Sequence, residues 1–494
     1  MADLPRQSVR NIGIYGLIRQ AEVSDELIPD GAVTEAINLS FDRKGVVQSR
    51  PGLTAIGSTV SSGNSCIGLH NLQSNTAIAV FVAGGSATIY ENQSGTWTQI
   101  GKGVGGGVLR FVDFANRTLM FGGSENSMQV FSGSNFSGNS GNPLNPDDMW
   151  YVNGTGVGAY ARAQFGEVYK SRIYLSGDNN YVPFASRVWF SSVISSSGNI
   201  TWAPSTDYVD INPGDGENVT ALKRFSLELL IFKPNYTYRF RTSGVDPDPL
   251  IRVGTRSQES VVEGKRGLYF HHDTGFYRYS GGYPEEVSRP ISDVVKAIPF
   301  GSYDDIVSWK DDDHVYWDLN GNLTLAEPQG SSLWKNVVLR YTESSDVWTV
   351  YSYSNKLRRG APFITGTSNS IMVGLDSGVM AEFNKGLSDI GQPIKYRMTT
   401  KWYEWAGIEN QKEIQEMCAI AEKGQGAQLM YQTDNYDDPI TVSPSLDKLI
   451  TYFDKNTKKF HRIRFILHGM TSNEAMVFNG LEVYKGNYEY VRNG

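Results

Sequence analysis

A chain of 494 residues exceeds what one hydrophobic core organises, and a content of 40% hydrophobic and 12% aromatic residues excludes a disordered polymer. The 52 acidic residues outnumber the 45 basic ones, leaving a formal charge of −7. No basic cluster extends beyond pairs such as Arg358-Arg359 and Lys458-Lys459, which argues against a nucleic-acid grip built on a basic face.

Met1 to Ile28 lacks the unbroken apolar core of a signal peptide and carries Asp3, Arg6, Arg10, Arg19, Glu22, Asp25 and Glu26. No run approaches the roughly 18 apolar residues that span a bilayer. The expectation is a soluble protein made in the cytoplasm. Glu35 to Asp42 alternates apolar and polar residues and predicts one entry strand. A turn at Arg43-Lys44-Gly45, a second strand Val46-Val47-Gln48-Ser49 and a stop at Pro51-Gly52 follow. Met1–Gly57 therefore reads as an arm with entry strands.

From Ser58 a motif recurs: a short apolar strand, a tight polar turn, and a strand with aromatics. One copy runs Gly267-Leu268-Tyr269-Phe270, His271-His272-Asp273-Thr274-Gly275, Phe276-Tyr277-Arg278-Tyr279 and Ser280-Gly281-Gly282. Another runs from Ala77 to Gly84, through Thr88-Ile89-Tyr90 and the turn Ser94-Gly95, to Thr96-Trp97-Thr98. The starts fall near Cys66, Val108, Val168, Val219, Val261, Tyr303 and Ala361, a spacing of roughly 40 to 60 residues. Small sheets cannot bury their faces alone, so the copies must pack on one another. The predicted fold is all-β: a β-propeller of six or seven blades over residues 58–392. The 27 Tyr, 22 Phe and 10 Trp supply its packing, and the 52 Gly its turns.

Between the second and third units, Ser132 to Asp148 is crowded with Ser, Gly, Asn and Pro. It reads as a long surface loop, either a carrier of contacts or a solvated linker. Past Gly386 the apolar runs lengthen: Ile394 to Tyr403, Gln415 to Ala421, Ala427 to Gln432, Phe460 to Leu467 and Met476 to Tyr484. Pro393–Gly494 is predicted to form a separate β-sandwich-like domain. Helix is expected only in short pieces near Ile291 to Ala297 and Pro444 to Leu449.

The chemistry-bearing motifs are weak. Asp311-Asp312-Asp313-His314 has the carboxylates a hard cation wants, but it lies between two strand patterns and reads as a hairpin tip. Asp318-Leu319-Asn320-Gly321-Asn322 lacks the full calcium-loop spacing, and Asn320-Gly321 suggests a type I′ turn. Gly103-Val104-Gly105-Gly106-Gly107 has neither the Lys-Ser/Thr nor the helix of a phosphate loop and reads as a connection between blades. His271-His272 is placed in a turn, with no nucleophile motif beside it. Cys66 and Cys418, far apart and without spaced His, read as free core thiols. Ser94-Gly95-Thr96-Trp97 and Gly198-Asn199-Ile200-Thr201-Trp202 echo the turn of sialidase-type propellers without its aspartate. No catalytic residue, metal site or cofactor is assigned.

Several segments in order resemble bacteriophage tail hub proteins, also called nozzle or packaged-DNA stabilisation proteins. They are Asn38-Leu39-Ser40 with Lys44 to Leu53, Arg187 to Ser192, Trp202, Asp210-Ile211, Gly214-Asp215-Gly216 and Leu230 to Tyr236. Gly267 to Gly282 and Ile291-Ser292-Asp293 continue the series, with weaker matches at Arg462-Ile463-Arg464 and Phe478 to Tyr484. The resemblance implies a structural virion protein of a short-tailed phage and no enzyme. It implies a homo-hexameric ring below the head-to-tail adaptor that extends the DNA channel, is sealed by a plug or needle protein, and anchors fibres or spikes. DNA would pass without specific binding, which suits an acidic chain. The arm before Asn38 and the Ser132 to Asp148 loop depart from the family. The alternative is a glycan-binding or glycan-degrading propeller of a phage tail, which needs two carboxylates across a cleft to hydrolyse.

Overall fold

The computed structural model describes residues 2–490 apart from 21–22, 24–26, 44, 73–75, 106, 115–116, 123–128, 132–135, 138–162, 178–184, 197–199, 202–205, 241–247, 328–329, 366–367, 425, 444, 447–448, 455–456 and 472–473. The Ser132 to Asp148 loop, save the short strand Phe136–Ser137, and Trp202 lie outside the described residues.

Five consecutive four-stranded antiparallel sheets form a propeller arrangement. Their first strands are Ser65–Asn71, Leu109–Phe114, Phe165–Tyr169, Ala221–Phe225 and Val262–Glu263. Each sheet is a meander in which neighbours in sequence pair in space, so short turns suffice. Ser94 and Gly95, both at positive φ, make one such turn.

The expected six or seven blades are corrected to five free-standing ones. The two remaining repeats fold as strand groups but merge into larger sheets. Val307–Lys310, His314–Asp318, Val337–Thr342 and Val347–Ser352 form a meander inside a nine-stranded sheet. Leu357–Thr365, Ser368–Leu375 and Met380–Phe383 are completed by Leu53–Ala55 from the N-terminal segment, inside a six-stranded sheet. Merging occurs because a sheet edge left unpaired recruits whichever strand lies beside it.

Alternation along single strands explains the packing. Ile78 and Val80 point to one neighbouring sheet, joining Leu109 and Met120. Ala77, Ala79 and Phe81 point the other way, joining Ala361, Met372 and Met380. Covered on both faces, the middle strands become continuous apolar runs such as Leu229-Leu230-Ile231-Phe232, all buried. Further clusters repeat the pattern: Phe121 with Ile173 and Trp189, Tyr174 with Leu222 and Ile231, and Phe232 with Phe270. Each large buried side chain contributes about 1.5–3 kcal/mol.

The C-terminal region is not the separate sandwich expected at Pro393. Val33–Ile37 pairs with Lys395–Thr400 on one side and, in parallel, with Val347–Ser352 on the other. The sheet holding Lys395–Thr400, Ile463–Met470, Ala427–Thr433 and Tyr436–Ser443 therefore continues into the propeller. A second sheet of seven strands packs with it and draws on both chain ends: Val477–Tyr490 pairs with Asn410–Lys423, Val47–Ser49, Gln7–Val9 and Ala2–Asp3. One hydrophobic cluster runs from Leu4 and Val9 through Trp317 and Trp348 to Phe465 and Val483.

The single entry strand over Glu35 to Asp42 is also corrected. Asn38 adopts φ 58 and breaks it, so Val33–Ile37 enters the nine-stranded sheet and Leu39–Ser40 the seven-stranded one. The α-helix Ser292–Lys296 lies where the first short helix was expected. At Pro444 to Leu449, only Ser445, Leu446 and Leu449 are described, and none is helical. No helix among the described residues is long and apolar enough to cross a membrane.

Candidate functional site: the propeller axis and its clasps

The first strands of successive repeats line the axis and approach closely where a side chain would obstruct them. A Cβ on Gly68 would sit 3.0 Å from Leu109 Cβ, and one on Gly360 would sit 2.7 Å from the Trp309 ring. Glycine at these positions lets neighbouring strands meet.

Two cavities of about 520 and 540 Å³ follow the axis and share Arg110, Phe165 and Gln258 in their walls. The first is lined from the first strands of seven repeats, with His70, Arg110, Glu167, Lys223, Glu259 and Arg359 among its walls. The second opens beside Glu217, Asn235, Arg256 and Asp304. Charges on the walls are mostly matched. Arg110 donates to both oxygens of Glu259, with Nη2 to Oε2 at 2.8 Å, and its Nη1 reaches the Gln164 carbonyl at 2.9 Å. Burial raises the Glu259 carboxyl, but the Arg110 charge and hydrogen bonds outweigh it and hold the group below the ordinary range. Lys223 pairs with Glu167 at 3.4 Å, and His70 Nε2 lies 3.1 Å from Asp113 Oδ1. Gln258 fastens the wall by exchanging two hydrogen bonds with the Leu222 backbone, 2.7 and 3.0 Å.

Around this axis, the motifs singled out in sequence meet as clasps. Asn38 Oδ1 accepts from Arg50 Nε at 2.8 Å and from the Ser352 amide at 2.7 Å, while its Nδ2 donates to the Lys395 carbonyl at 2.7 Å. Arg187 and Asp210 face each other across two strands in a bidentate pair, 2.6 and 2.8 Å. Lys233, fully buried, donates to both oxygens of Asp215 at 2.7 and 2.8 Å, and to Ser186 Oγ and the Asn212 carbonyl at 3.2 Å. A buried ammonium persists only with such partners.

The weaker motifs resolve differently. Asp311 is a turn residue as expected: it accepts from the amides of Asp313 and His314, from His314 Nδ1 at 2.7 Å and from the Tyr316 hydroxyl at 2.7 Å. Asp313 accepts from Ser344 at 2.5 Å, and His314 Nε2 lies 3.2 Å from Asp42. Among the described residues no group of three or more His, Cys, Asp or Glu is placed to hold a metal. Asn320 takes the left-handed conformation but Gly321 does not, so the expected type I′ turn is absent; the chain instead leads into the ribbon Leu323–Glu327 with Gly330–Trp334. His271 and His272 end the strand Leu268–His272 rather than occupying the turn, which is Asp273-Thr274. Gly103 to Gly105 ends an outer strand paired to Ser86–Gln93, with Gly106 outside the described residues. Cys66 and Cys418 are free and buried, and burial pushes the Cys66 thiol up to about 12.

Arg110, Glu167, Lys223, Glu259 and Arg359 were missed in sequence because they are scattered over five repeats. Four of them share a signal, a charged residue inside the first strand of a repeat, where the flanking pattern is apolar.

No protein-family model and no curated protein matches this chain. Among solved structures it is similar to YCF48 from Cyanidioschyzon merolae, at 11% identity over 67% of this chain and 98% of that one, with a TM-score of 0.40.

Proposed function

We propose that the chain is a structural, non-enzymatic subunit of a short-tailed bacteriophage tail, of the hub or nozzle type. The observation that supports this most is the meeting of the resemblance motifs as hydrogen-bonded clasps: Asn38 with Arg50, Arg187 with Asp210, and Asp215 with Lys233. Motifs that occur in family order and also contact one another have a shared physical job, which is to hold strands and sheets in place. Beyond the five blades, two further strand groups merge into larger sheets, one of them completed by Leu53–Ala55, and both chain ends are woven into the attached two-sheet body. Such a body resists deformation, as a load-carrying conduit subunit must.

In this reading six copies form a ring beneath the head-to-tail adaptor, with plug, needle, fibre or spike proteins attached. DNA slides past an acidic wall, and the protein resides in the virion tail. The test is reconstitution: purified chain is mixed with a portal–adaptor complex from the genome that encodes it and imaged by negative stain. A sixfold ring added below the adaptor supports the reading. A monomer that does not join the complex, or one that shortens host polysaccharide, refutes it.

A further inference from the structure

Arg110, Arg224 and Arg359 line the 520 Å³ axial cavity together with the carboxylates Asp113, Glu167, Glu259 and Glu263, and the partners of Arg359 set it apart. Glu259 gives both oxygens to Arg110. Arg359 lines the same cavity of about 520 Å³ yet donates only to backbone carbonyls, Nε to Ile67 at 3.3 Å and Nη1 to Arg358 at 2.6 Å. No carboxylate lies within ion-pair distance of Arg359 among the described residues, whereas Lys223 has Glu167 and His70 has Asp113. Burial, partly countered by Glu259, holds the Arg359 guanidinium below its usual range, and the charge of Arg110 adds to this.

We propose that the axial cavity binds a small oxyanion, a carboxylate or phosphate compound, through the Arg359 guanidinium. A planar guanidinium with unspent N–H groups matches two oxygens of either group, and its charge is stronger in a confined, poorly hydrated space. The volume lies within the roughly 300–1,000 Å³ of small-molecule sites. It is far too small for a nucleic-acid duplex. Glu217 and Asp304 in the wall of the adjoining cavity, with the acidic wall residues of this one, oppose a longer polyanion. The proposal does not depend on the tail assignment.

The test is calorimetric titration of the full chain with pyrophosphate and, separately, with citrate, at ionic strength fixed by NaCl. Saturable one-to-one binding of at least one is expected, and the better ligand identifies the source as phosphate or carboxylate. Arg359→Gln should weaken it about tenfold or more, Arg359→Lys less, and the distant Lys458→Gln not at all. Binding of neither ligand, or equal binding by Arg359→Gln, overturns the proposal. Should Arg359→Gln fail to fold, the native protein is treated with phenylglyoxal and its peptides are mapped by mass spectrometry. Protection of Arg359 by the bound ligand supports the site, and protection elsewhere only, or none, overturns it.

Discussion

Arg50 holds Asp389 in a bidentate ion pair across 339 residues of sequence, with Nη1 to Oδ1 at 2.9 Å and Nη2 to Oδ2 at 2.7 Å. The Arg50 side chain has no solvent exposure, and its guanidinium lies 4.0 Å above the Tyr353 ring. It also reaches the Ser352 carbonyl, at 3.0 Å, and so ties the N-terminal entry, the merged strand group before the closure and the closing sheet into one node. Removing one partner strands the other in a dry site.

Asp389→Asn should therefore cost about 3–5 kcal/mol, because the buried guanidinium keeps its charge and loses its counter-ion. The midpoint of urea unfolding measures it. Arg397→Gln, whose pair with Glu35 is half exposed, serves as the comparison and should cost under about 1 kcal/mol.

Asn38 separates backbone strain from hydrogen bonding. Asn38→Ala loses three side-chain hydrogen bonds and must hold φ 58 without the asparagine's tolerance for it. A loss of about 3 kcal/mol or more is expected. Asn38→Gly loses the same bonds but accepts the dihedral, and should be about 1 kcal/mol more stable than the alanine variant in the same unfolding assay.

Two buried groups give stability an opposed pH dependence. Burial pushes Asp318 up to about 7, above its unfolded value, and its Oδ2 has no partner. The unfolded chain releases this proton near pH 4 while the folded chain keeps it. The stability it contributes is full below pH 4 and is lost as pH rises to about 7, by at most about 4 kcal/mol. His271 is the reverse: burial pulls it down to about 3, so stability present above pH 6.5 is lost as pH falls toward 3. Asp318→Asn should gain stability over the native chain at pH 8 but not at pH 3.5. His271→Phe should reduce the loss between pH 6.5 and 4. Unfolding free energies measured across pH 3.5–8 for the three proteins check both signs.

Gly360→Ala places a methyl group 2.7 Å from the Trp309 ring, which is buried in the cluster between the two merged repeats. A cost of about 1–3 kcal/mol is expected. Gly282→Ala has open space around its Cβ and should change the melting temperature little.

The repeat was legible because each unit carries its own period-two pattern and turn. The seven starts read from sequence lie within four residues of the first strands at Ser65, Leu109, Phe165, Ala221, Val262, Val307 and Leu357. The merging of sheets was not legible. It depends on Val33–Ile37, whose alternation looks like any half-buried strand and gives no sign that it bridges Val350 and Met398. Asn38 misled for a related reason: the polar residue that fitted the alternation is the point where the chain leaves one sheet for another. In the axial cavity, Arg110 and Glu259 are 149 residues apart, and no local pattern can pair them.

As proposed, this propeller is a body whose value lies in assembly. Electron cryo-microscopy of virions produced from the same genome tests it most directly. Six copies of the propeller and its attached two-sheet body in a ring below the adaptor are expected. Virions whose tails contain no copy of this chain would contradict it.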